Sequence, residues 1–222
     1  CYLFIHSDNG SVATYLSYLT DWKKRKGFEV HTASTAEAGN TETEVKAYIQ
    51  DAYDTWGNPP EYICLVGDDS GNLGVPPGSS GYGGSDHPYT QLEGGDILAD
   101  AIVGRLSFSS LTEFQTILNK IFQYEMTPYM TETDWYNEIL LVGDPSHSGS
   151  STQTCNKSIK EAMQNYTDEY NYNEEYSGGY STFINNNIQS GVSFFNYRGY
   201  IGMSGWSPGG YTNGPMMPNA VI

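Results

Sequence analysis

Apolar and polar positions in the first part of the chain follow two periods. Residues 2–5 form a short apolar run, which predicts a strand. Apolar positions from 12 to 19 then recur at three- and four-residue spacing, which predicts a helix that stops at Gly27. Residues 28–32 alternate with a period of two, as a half-buried strand does. The chain therefore opens with strand, helix and strand.

Capping boxes predict where two further helices begin. Thr41 is followed three positions later by Glu44, and Ser110 is followed in the same way by Glu113. In this pattern the hydroxyl and the carboxylate each accept a hydrogen bond from the other residue's backbone N–H. Apolar residues at helical spacing follow both pairs, so each box predicts the first turn of an amphipathic helix.

Continuous apolar runs predict the central strands. Residues 62–66 and 139–142 are such runs, and each belongs to a Leu-Val-Gly-Asp repeat that ends at Asp68 or Asp144. A strand covered on both faces is apolar throughout. The repeat thus places an aspartate at the carboxyl end of each central strand, which is the edge where open α/β sheets bind ligands.

The remaining pattern completes two rounds of alternating strands and helices. Residues 99–103 and 192–197 are predicted strands, whereas residues 170–176 are poorly patterned. Alternation of this kind predicts parallel sheets with helices on both faces. We predict an α/β protein of two tandem units, residues 1–130 and 131–222, the second incomplete at its end.

Composition and charge exclude several classes of partner. The 222 residues carry a formal charge of −16, which repels phosphate backbones, so nucleic acid is not expected as a partner. No apolar run reaches the roughly 18 residues of a membrane span. The three cysteines cannot all pair with one another and show no metal-ligand spacing, so neither a disulfide framework nor a zinc site is supported.

A long irregular stretch, residues 70–96, is rich in Gly, Ser, Pro, Asp and Tyr. A loop of this length in a compact domain is usually functional or disordered. Carboxylates interleaved with glycine give hard oxygen ligands on a flexible backbone, as calcium requires. These carboxylates do not follow the EF-hand pattern, and an ordinary acidic loop explains them as well. The candidate ligands are Asp68, Asp69, Asp86, Glu93 and Asp96.

Several segments resemble the gingipain-type cysteine peptidases. In the first half these are Trp22-Lys23-Lys24, Pro60-Glu61-Tyr62, Ser85-Asp86 and the segment Asp100-Ala101-Ile102-Val103-Gly104-Arg105. In the second half they are Phe195-Asn196-Tyr197-Arg198-Gly199, with Gly202 and Trp206. The resemblance implies two caspase-like α/β/α subdomains, structural calcium and a cysteine nucleophile that lies beyond residue 222.

The resemblance places Tyr200 where the family has its catalytic histidine, directly after Gly199. A neutral phenol is a poor base for a thiol, because its pKa is near 10. His147 is a possible substitute base, or else a solvated loop histidine. Asp100 aligns with an acidic residue near the family's histidine and either orients the base or pairs with Arg105.

Three functions follow from these residues. The first is a bacterial cysteine-type endopeptidase domain, secreted or at the cell surface, which acts on peptide or protein substrates and needs the rest of its own polypeptide to complete the site. On its own this fragment is predicted to be inactive. The second is a pseudopeptidase that keeps the fold as a peptide-binding or scaffold domain. The third is an unrelated carbohydrate-active or calcium-stabilised domain, expected only if the halves are not parallel α/β units.

Overall fold

The computed structural model describes residues 1–80, 83–128 and 130–199, with backbone alone at residues 80, 83, 147 and 148. The chain divides into two compact units, Cys1–Asn119 and Lys120–Ile222. The sequence pattern places the boundary between residues 130 and 131, whereas this division falls earlier, inside a helix that spans Leu111–Met126. Each unit contains its own parallel sheet.

Unit 1 is built on a four-stranded parallel sheet with the strand order β2-β1-β3-β6. The strands of the unit are β1 (Tyr2–His6), β2 (Val30–Ser34), β3 (Tyr62–Val66), the short antiparallel pair β4 (Ser79–Ser80) and β5 (Gly83–Gly84), and β6 (Ile102–Leu106). The helices are α1 (Gly10–Arg25), α2 (Thr35–Ala38), α3 (Glu42–Thr55) and α4 (Leu111–Met126), with a 3-10 turn at His87–Thr90.

The core of unit 1 lies between this sheet and α3. Leu3 and Ile5 of β1 are fully buried there, together with Val45 and Ile49 of α3. Phe4 projects to the opposite face of the sheet and is 1% exposed, so helices cover both faces of β1. A strand buried on both faces must be apolar at every position, which explains the continuous runs in β1 and β3.

Unit 2 contains a three-stranded parallel sheet with the strand order β8-β7-β9. Its strands are β7 (Glu138–Gly143), β8 (Asn171–Glu175) and β9 (Phe194–Arg198). Its helices are α5 (Pro145–Ser148), α6 (Ser151–Tyr166) and α7 (Tyr180–Ser190), and a 3-10 turn spans Asp134–Asn137. Leu140, Val142, Ile184 and Ile188 form its core between β7 and α7.

The structure confirms the predicted α/β class and the parallel sheets. The capping box of Thr41 and Glu44 opens α3, and Glu113 accepts from the backbone of Ser109 and Ser110. The pattern missed β8 at residues 171–175, because its side chains are polar and it lies at an edge of the described sheet. It also placed β6 about three residues too early, since residues 99–101 belong to the loop before the strand.

One arginine ties the loops of unit 1 to the sheet. Arg105 of β6 donates from Nε and Nη2 to the two carboxylate oxygens of Asp86, at 2.8 and 2.7 Å. Its Nη1 donates to the carbonyl oxygens of Gly67 (3.1 Å), Asp68 (2.9 Å) and Val75 (2.8 Å). The side chains of Arg105 and Asp86 are only 13% and 21% exposed. The guanidinium thus holds the end of β3 and both arms of the long loop.

Replacing Arg105 by methionine is expected to destabilise unit 1 by about 3–5 kcal/mol. The substitution leaves a mostly buried Asp86 carboxylate and several carbonyls without their partner. Urea unfolding followed by circular dichroism measures the change. Lys24→Met is the matched control, since Lys24 and Asp21 form an exposed ion pair at 3.8 Å, worth less than about 1 kcal/mol. Equal losses in the two variants would contradict the clamp.

Candidate functional site

The carboxyl end of the sheet in unit 2 places one carboxylate and two phenols close together. β7 ends at Gly143 and the chain turns into α5 at Asp144, whose backbone nitrogen donates to the carbonyl of Arg198 at 2.9 Å. This bond joins the ends of β7 and β9. Because the strands are parallel, the side chains that follow both of them lie at the same edge.

Asp144 is the carboxylate of this edge. Its Oδ1 accepts from the backbone nitrogen of Ser146 at 2.9 Å and also from the Ser146 hydroxyl, so it caps α5. The Tyr180 phenol at the start of α7 lies near the same carboxylate, whose charge adds to the effect of burial in raising the pKa of the phenol. The two donors of Ser146 fix the position of the Asp144 carboxylate.

Two tyrosines at this edge are held in the neutral form. Burial raises the pKa of the Tyr180 phenol, and the nearby carboxylates of Asp144 and Glu175 raise it further. Burial and then Asp144 raise the pKa of Tyr197 in β9. Both groups are therefore hydrogen-bond donors at neutral pH and are unsuited to abstracting a proton.

Gly199 follows β9 in a position that a larger residue does not fit. A Cβ there would lie 2.5 Å from the Tyr197 hydroxyl oxygen and 2.9 Å from Cβ of Asp144. The absence of a side chain at residue 199 lets the chain approach both groups. The backbone at Gly199 therefore lies beside a carboxylate and a phenol.

Two of the predicted catalytic side chains cannot be placed. Tyr200 lies outside the described residues. His147 lies in α5, three residues after the Asp144 cap, but its side chain is not among those described. The roles of Tyr200 and His147 stay predictions.

Asp100 lies in unit 1, two residues before β6 and thus towards the amino-terminal end of that strand. Its Oδ2 accepts from the backbone nitrogens of Leu92 (2.7 Å) and Glu93 (2.8 Å), and these two bonds lower its carboxyl pKa, the bond from Glu93 more strongly. The alternative that Asp100 pairs with Arg105 is wrong, because Asp86 takes that place. Asp100 shapes the loop before β6, and its role near a base stays a prediction.

The five candidate calcium ligands have other partners. Asp86 binds Arg105, Glu93 accepts from the Tyr53 hydroxyl at 2.9 Å, and Asp96 accepts from the backbone nitrogen of Leu98 at 2.8 Å. Asp68 accepts from the Ser107 hydroxyl at 2.9 Å, and Asp69 accepts from Ser70 at 2.8 Å. Within the described residues no three His, Cys, Asp or Glu side chains converge to hold a metal ion. The five do not form one cage there, and calcium stays a prediction.

None of the described cysteines completes this site as a nucleophile. Cys64 is buried in β3 of unit 1, and burial raises the pKa of its thiol to about 12. Cys155 is half-buried in α6 of unit 2, where the Arg198 guanidinium donates to its sulfur over 3.8 Å. Arg198 projects to the α6 face of the sheet, whereas Tyr197 projects to the α7 face. Cys155 is therefore on the other side of β9 from Tyr197.

Comparison with known proteins agrees with this architecture. The sequence profile of peptidase family C25 matches residues 2–220, which is nearly the whole chain. The chain belongs to peptidase family C25. Membership of family C25 shows that the chain is a peptidase-related domain.

The similar proteins include gingipains of Porphyromonas gingivalis. Lys-gingipain W83 is 31% identical over 199 residues, which cover 84% of this chain and 11% of that protein. Gingipain R2 is 25% identical over 197 residues, which cover 84% of this chain and 26% of that protein. The chain therefore spans about a tenth to a quarter of the length of these relatives.

Solved structures show the same fold. The complex of the pro- and mature domains of Porphyromonas gingivalis RgpB superposes with a TM-score of 0.74 at 21% identity, over 94% of this chain and 50% of that one. The crystal structure of the Arg-specific cysteine proteinase gingipain R gives a TM-score of 0.73 at 22% identity, over 93% of this chain and 48% of that one. The caspase-like α/β architecture predicted for this C25 chain is confirmed.

The sequence pattern located one member of this edge and missed the others. The repeated Leu-Val-Gly-Asp segment placed Asp144 at the carboxyl end of a central strand, and the structure confirms that position. Tyr180 and Tyr197 gave no signal, because aromatic residues at helix and strand spacing are usually part of a core. Only the fold shows that both phenols lie near Asp144.

Gly199→Ala is expected to destabilise unit 2 by about 1–3 kcal/mol, because the added methyl group overlaps Asp144 and the Tyr197 ring. The thermal unfolding midpoint measures the loss. Gly104→Ala in β6 is the control, since a Cβ there meets no atom within 4 Å. If Gly199→Ala is no less stable than Gly104→Ala, the close approach at residue 199 does not exist.

The two thiols are expected to react with iodoacetamide at very different rates. At pH 8 a thiol of pKa about 12 is thiolate in roughly one molecule in ten thousand, and Cys64 is also buried. Cys155 is only half-buried. Peptide mapping by mass spectrometry after short labelling should find the label on Cys155, and on Cys64 only after addition of denaturant. Early labelling of Cys64 would show that β3 opens in the native state.

Proposed function

We propose that this chain is part of the catalytic domain of a gingipain-like cysteine-type endopeptidase that acts on peptide or protein substrates. The nucleophilic cysteine is proposed to follow residue 222 in the sequence. The observation that supports the proposal most is the carboxyl edge of unit 2, where the phenols of Tyr180 and Tyr197 lie near the Asp144 carboxylate and Gly199 packs against Asp144 and Tyr197. Membership of family C25 supports the same reaction class.

Acyl transfer by a thiol needs a proton acceptor and a place for the oxyanion. A thiolate attacks the carbonyl carbon, and a general acid then protonates the leaving amine. The neutral phenols of Tyr180 and Tyr197 suit the second need, because they donate hydrogen bonds to a developing oxyanion or a substrate carbonyl. The resemblance assigns the role of proton acceptor to residue 200.

Tyr200 makes the reaction slow in this proposal. Loss of a positioned general base typically costs about a hundredfold to ten-thousandfold in rate. His147 stands three residues after Asp144 and is the proposed substitute base. Asp144 is proposed to orient that base, as a carboxylate orients an imidazole in other hydrolytic sites.

A second candidate function is a pseudopeptidase, and the observation that favours it is the tyrosine at position 200. In this alternative the same edge binds a peptide without cleaving it. The donor groups of Tyr180 and Tyr197 serve both functions equally, so the base alone separates the enzyme from the binding domain.

The protein is proposed to work outside a bacterial cell or on its surface. The composition, with 19 tyrosines, 25 glycines and few basic residues, and the bacterial origin of the similar gingipains support this location. No helix in the described part of the chain is long and apolar enough to cross a membrane. Structural calcium remains part of the proposal, and a rise in the unfolding temperature with added calcium would support it.

Tyr200→His, in the protein extended through the next strand and its expected cysteine, should raise kcat/KM on fluorescently labelled casein by about a hundredfold or more. The added imidazole restores a base with a pKa near the operating pH. Tyr166→His is the matched control, because it makes the same chemical change at a residue of α6 that is 88% exposed. This control should leave kcat/KM unchanged.

The same experiment separates the two functions. Alanine at the cysteine beyond residue 222 should abolish hydrolysis in the Tyr200→His protein. Hydrolysis by the unmodified extended protein that depends on this cysteine favours the enzyme. No hydrolysis in either form, together with retained binding of casein peptides, favours the pseudopeptidase. If the protein neither hydrolyses nor binds casein peptides, both proposed functions are refuted.

A further inference from the structure

A cleft in unit 1 has a chemistry that the proposed function does not use. It has a volume of about 520 Å³ and is lined by Glu29, His31, Trp56, Gly57 and Asn58. Glu29 precedes β2 and His31 lies within it, whereas Trp56 caps the end of α3 and Asn58 follows. The cleft thus lies between the start of an edge strand and the end of a helix, towards the amino-terminal ends of the strands.

The centre of the cleft is a positioned carboxylate. Glu29 Oε1 accepts from Nε2 of His31 at 3.0 Å, and Oε2 accepts from Nδ2 of Asn58 at 2.7 Å. These bonds, that from Asn58 first, lower the pKa of the Glu29 carboxyl group. The carboxylate side chain is still 52% exposed, and each oxygen keeps a further lone pair. Glu29 is therefore charged, oriented and open to a ligand.

Aromatic rings form the wall beside this carboxylate. The His31 and Trp56 rings lie 4.3 Å apart between centroids and are tilted by 41°. Trp56 packs on one side against the apolar core of unit 1, which fixes its ring. The π-face of an indole attracts a cation more strongly than the other aromatic side chains do.

The hydrogen-bonding capacity of the cleft is mainly that of an acceptor. The proton on Nε2 of His31 and one proton of the Asn58 amide already bind Glu29, so these donors are not open to a ligand. In neutral His31 the other ring nitrogen is then an acceptor. A sugar, which needs donors and acceptors in mixture, matches this set poorly. A planar cation with several N–H groups matches it well, since it binds a carboxylate and stacks on an aromatic ring.

We propose that this cleft binds the guanidinium group of an arginine side chain in a peptide or protein. The guanidinium donates to the Glu29 carboxylate and lies against the wall formed by the His31 and Trp56 rings. The net charge of −16 favours the approach of a basic partner. This binding does not depend on the proposed peptidase function, because it needs neither residue 200 nor a nucleophile.

The test is a titration of the whole 222-residue chain with N-acetyl-arginine amide. Calorimetry measures the affinity, and the NMR signals of the tryptophan indoles report where the ligand binds. Trp56→Phe identifies the Trp56 signal. Arginine amide should bind and shift that signal, whereas N-acetyl-citrulline amide, which is neutral and nearly isosteric, should bind at least about tenfold more weakly. Raising the salt concentration to about 0.5 M should also weaken binding.

Glu29→Gln should lower the affinity for arginine amide by about tenfold or more, because it removes the charge and keeps the shape. Asp21→Asn, which removes one charge from the exposed face of α1, should leave the affinity within about twofold. Equal binding of citrulline amide, or an unchanged affinity in Glu29→Gln, overturns the proposal. Tighter binding of methyl glucoside than of arginine amide overturns it in favour of a sugar site. All of these outcomes are read without an activity assay.

Discussion

The guanidinium of Arg105 is the interaction on which the carboxyl edge of unit 1 depends. It occupies a mostly buried position and gives every nitrogen a partner within one loop system. Without it, the carbonyls of Gly67 and Val75 would lose this donor, and the Asp68 carbonyl would keep only the backbone nitrogen of Val75, at 2.8 Å. A buried carbonyl that lacks its donor costs about 1–3 kcal/mol, so the loop adopts this path only because the arginine is there. The acidic residues of the loop therefore serve the fold first.

The edge of unit 2 is built in a different way, by close contact of backbone with side chains. A Cβ at Gly143 would lie 3.1 Å from the backbone of Thr152 and from the Tyr176 ring. A Cβ at Gly199 would lie closer still to its neighbours, 2.5 Å from the Tyr197 hydroxyl oxygen and 2.9 Å from Cβ of Asp144. Two glycines thus bring α6 and the end of β9 close to the end of β7. This closeness explains the raised pKa of Tyr197, because a phenol that is half-buried beside a carboxylate resists ionisation.

The periodic elements could be predicted from the sequence, whereas the site could not. The central strands and the capped helices are determined by local apolar pattern and by capping residues, as Thr41 and Glu44 show. The apolar pattern did not predict β8, because an edge strand buries few side chains. Polar side chains of β8 instead pair with polar groups of other elements, as Glu174 does with Lys160 of α6. Of the two alternatives for Asp100, the pair with Arg105 is wrong for a related reason. Asp100 is near it in sequence, but only the folded loop brings Asp86 to it.

The described residues at the end of β9 provide no base for a thiol. Asp144 already accepts two hydrogen bonds from Ser146, and a carboxylate is in general a weak proton acceptor for a thiol. Tyr180 and Tyr197 donate rather than accept. This edge therefore provides orientation and hydrogen-bond donors, and the proton acceptor that a thiol requires has to come from another side chain. The resemblance assigns that acceptor to position 200, where this sequence has a tyrosine and no imidazole. The edge of unit 2 is thus compatible with cleavage or with simple binding of a peptide, depending on whether another side chain supplies the proton acceptor.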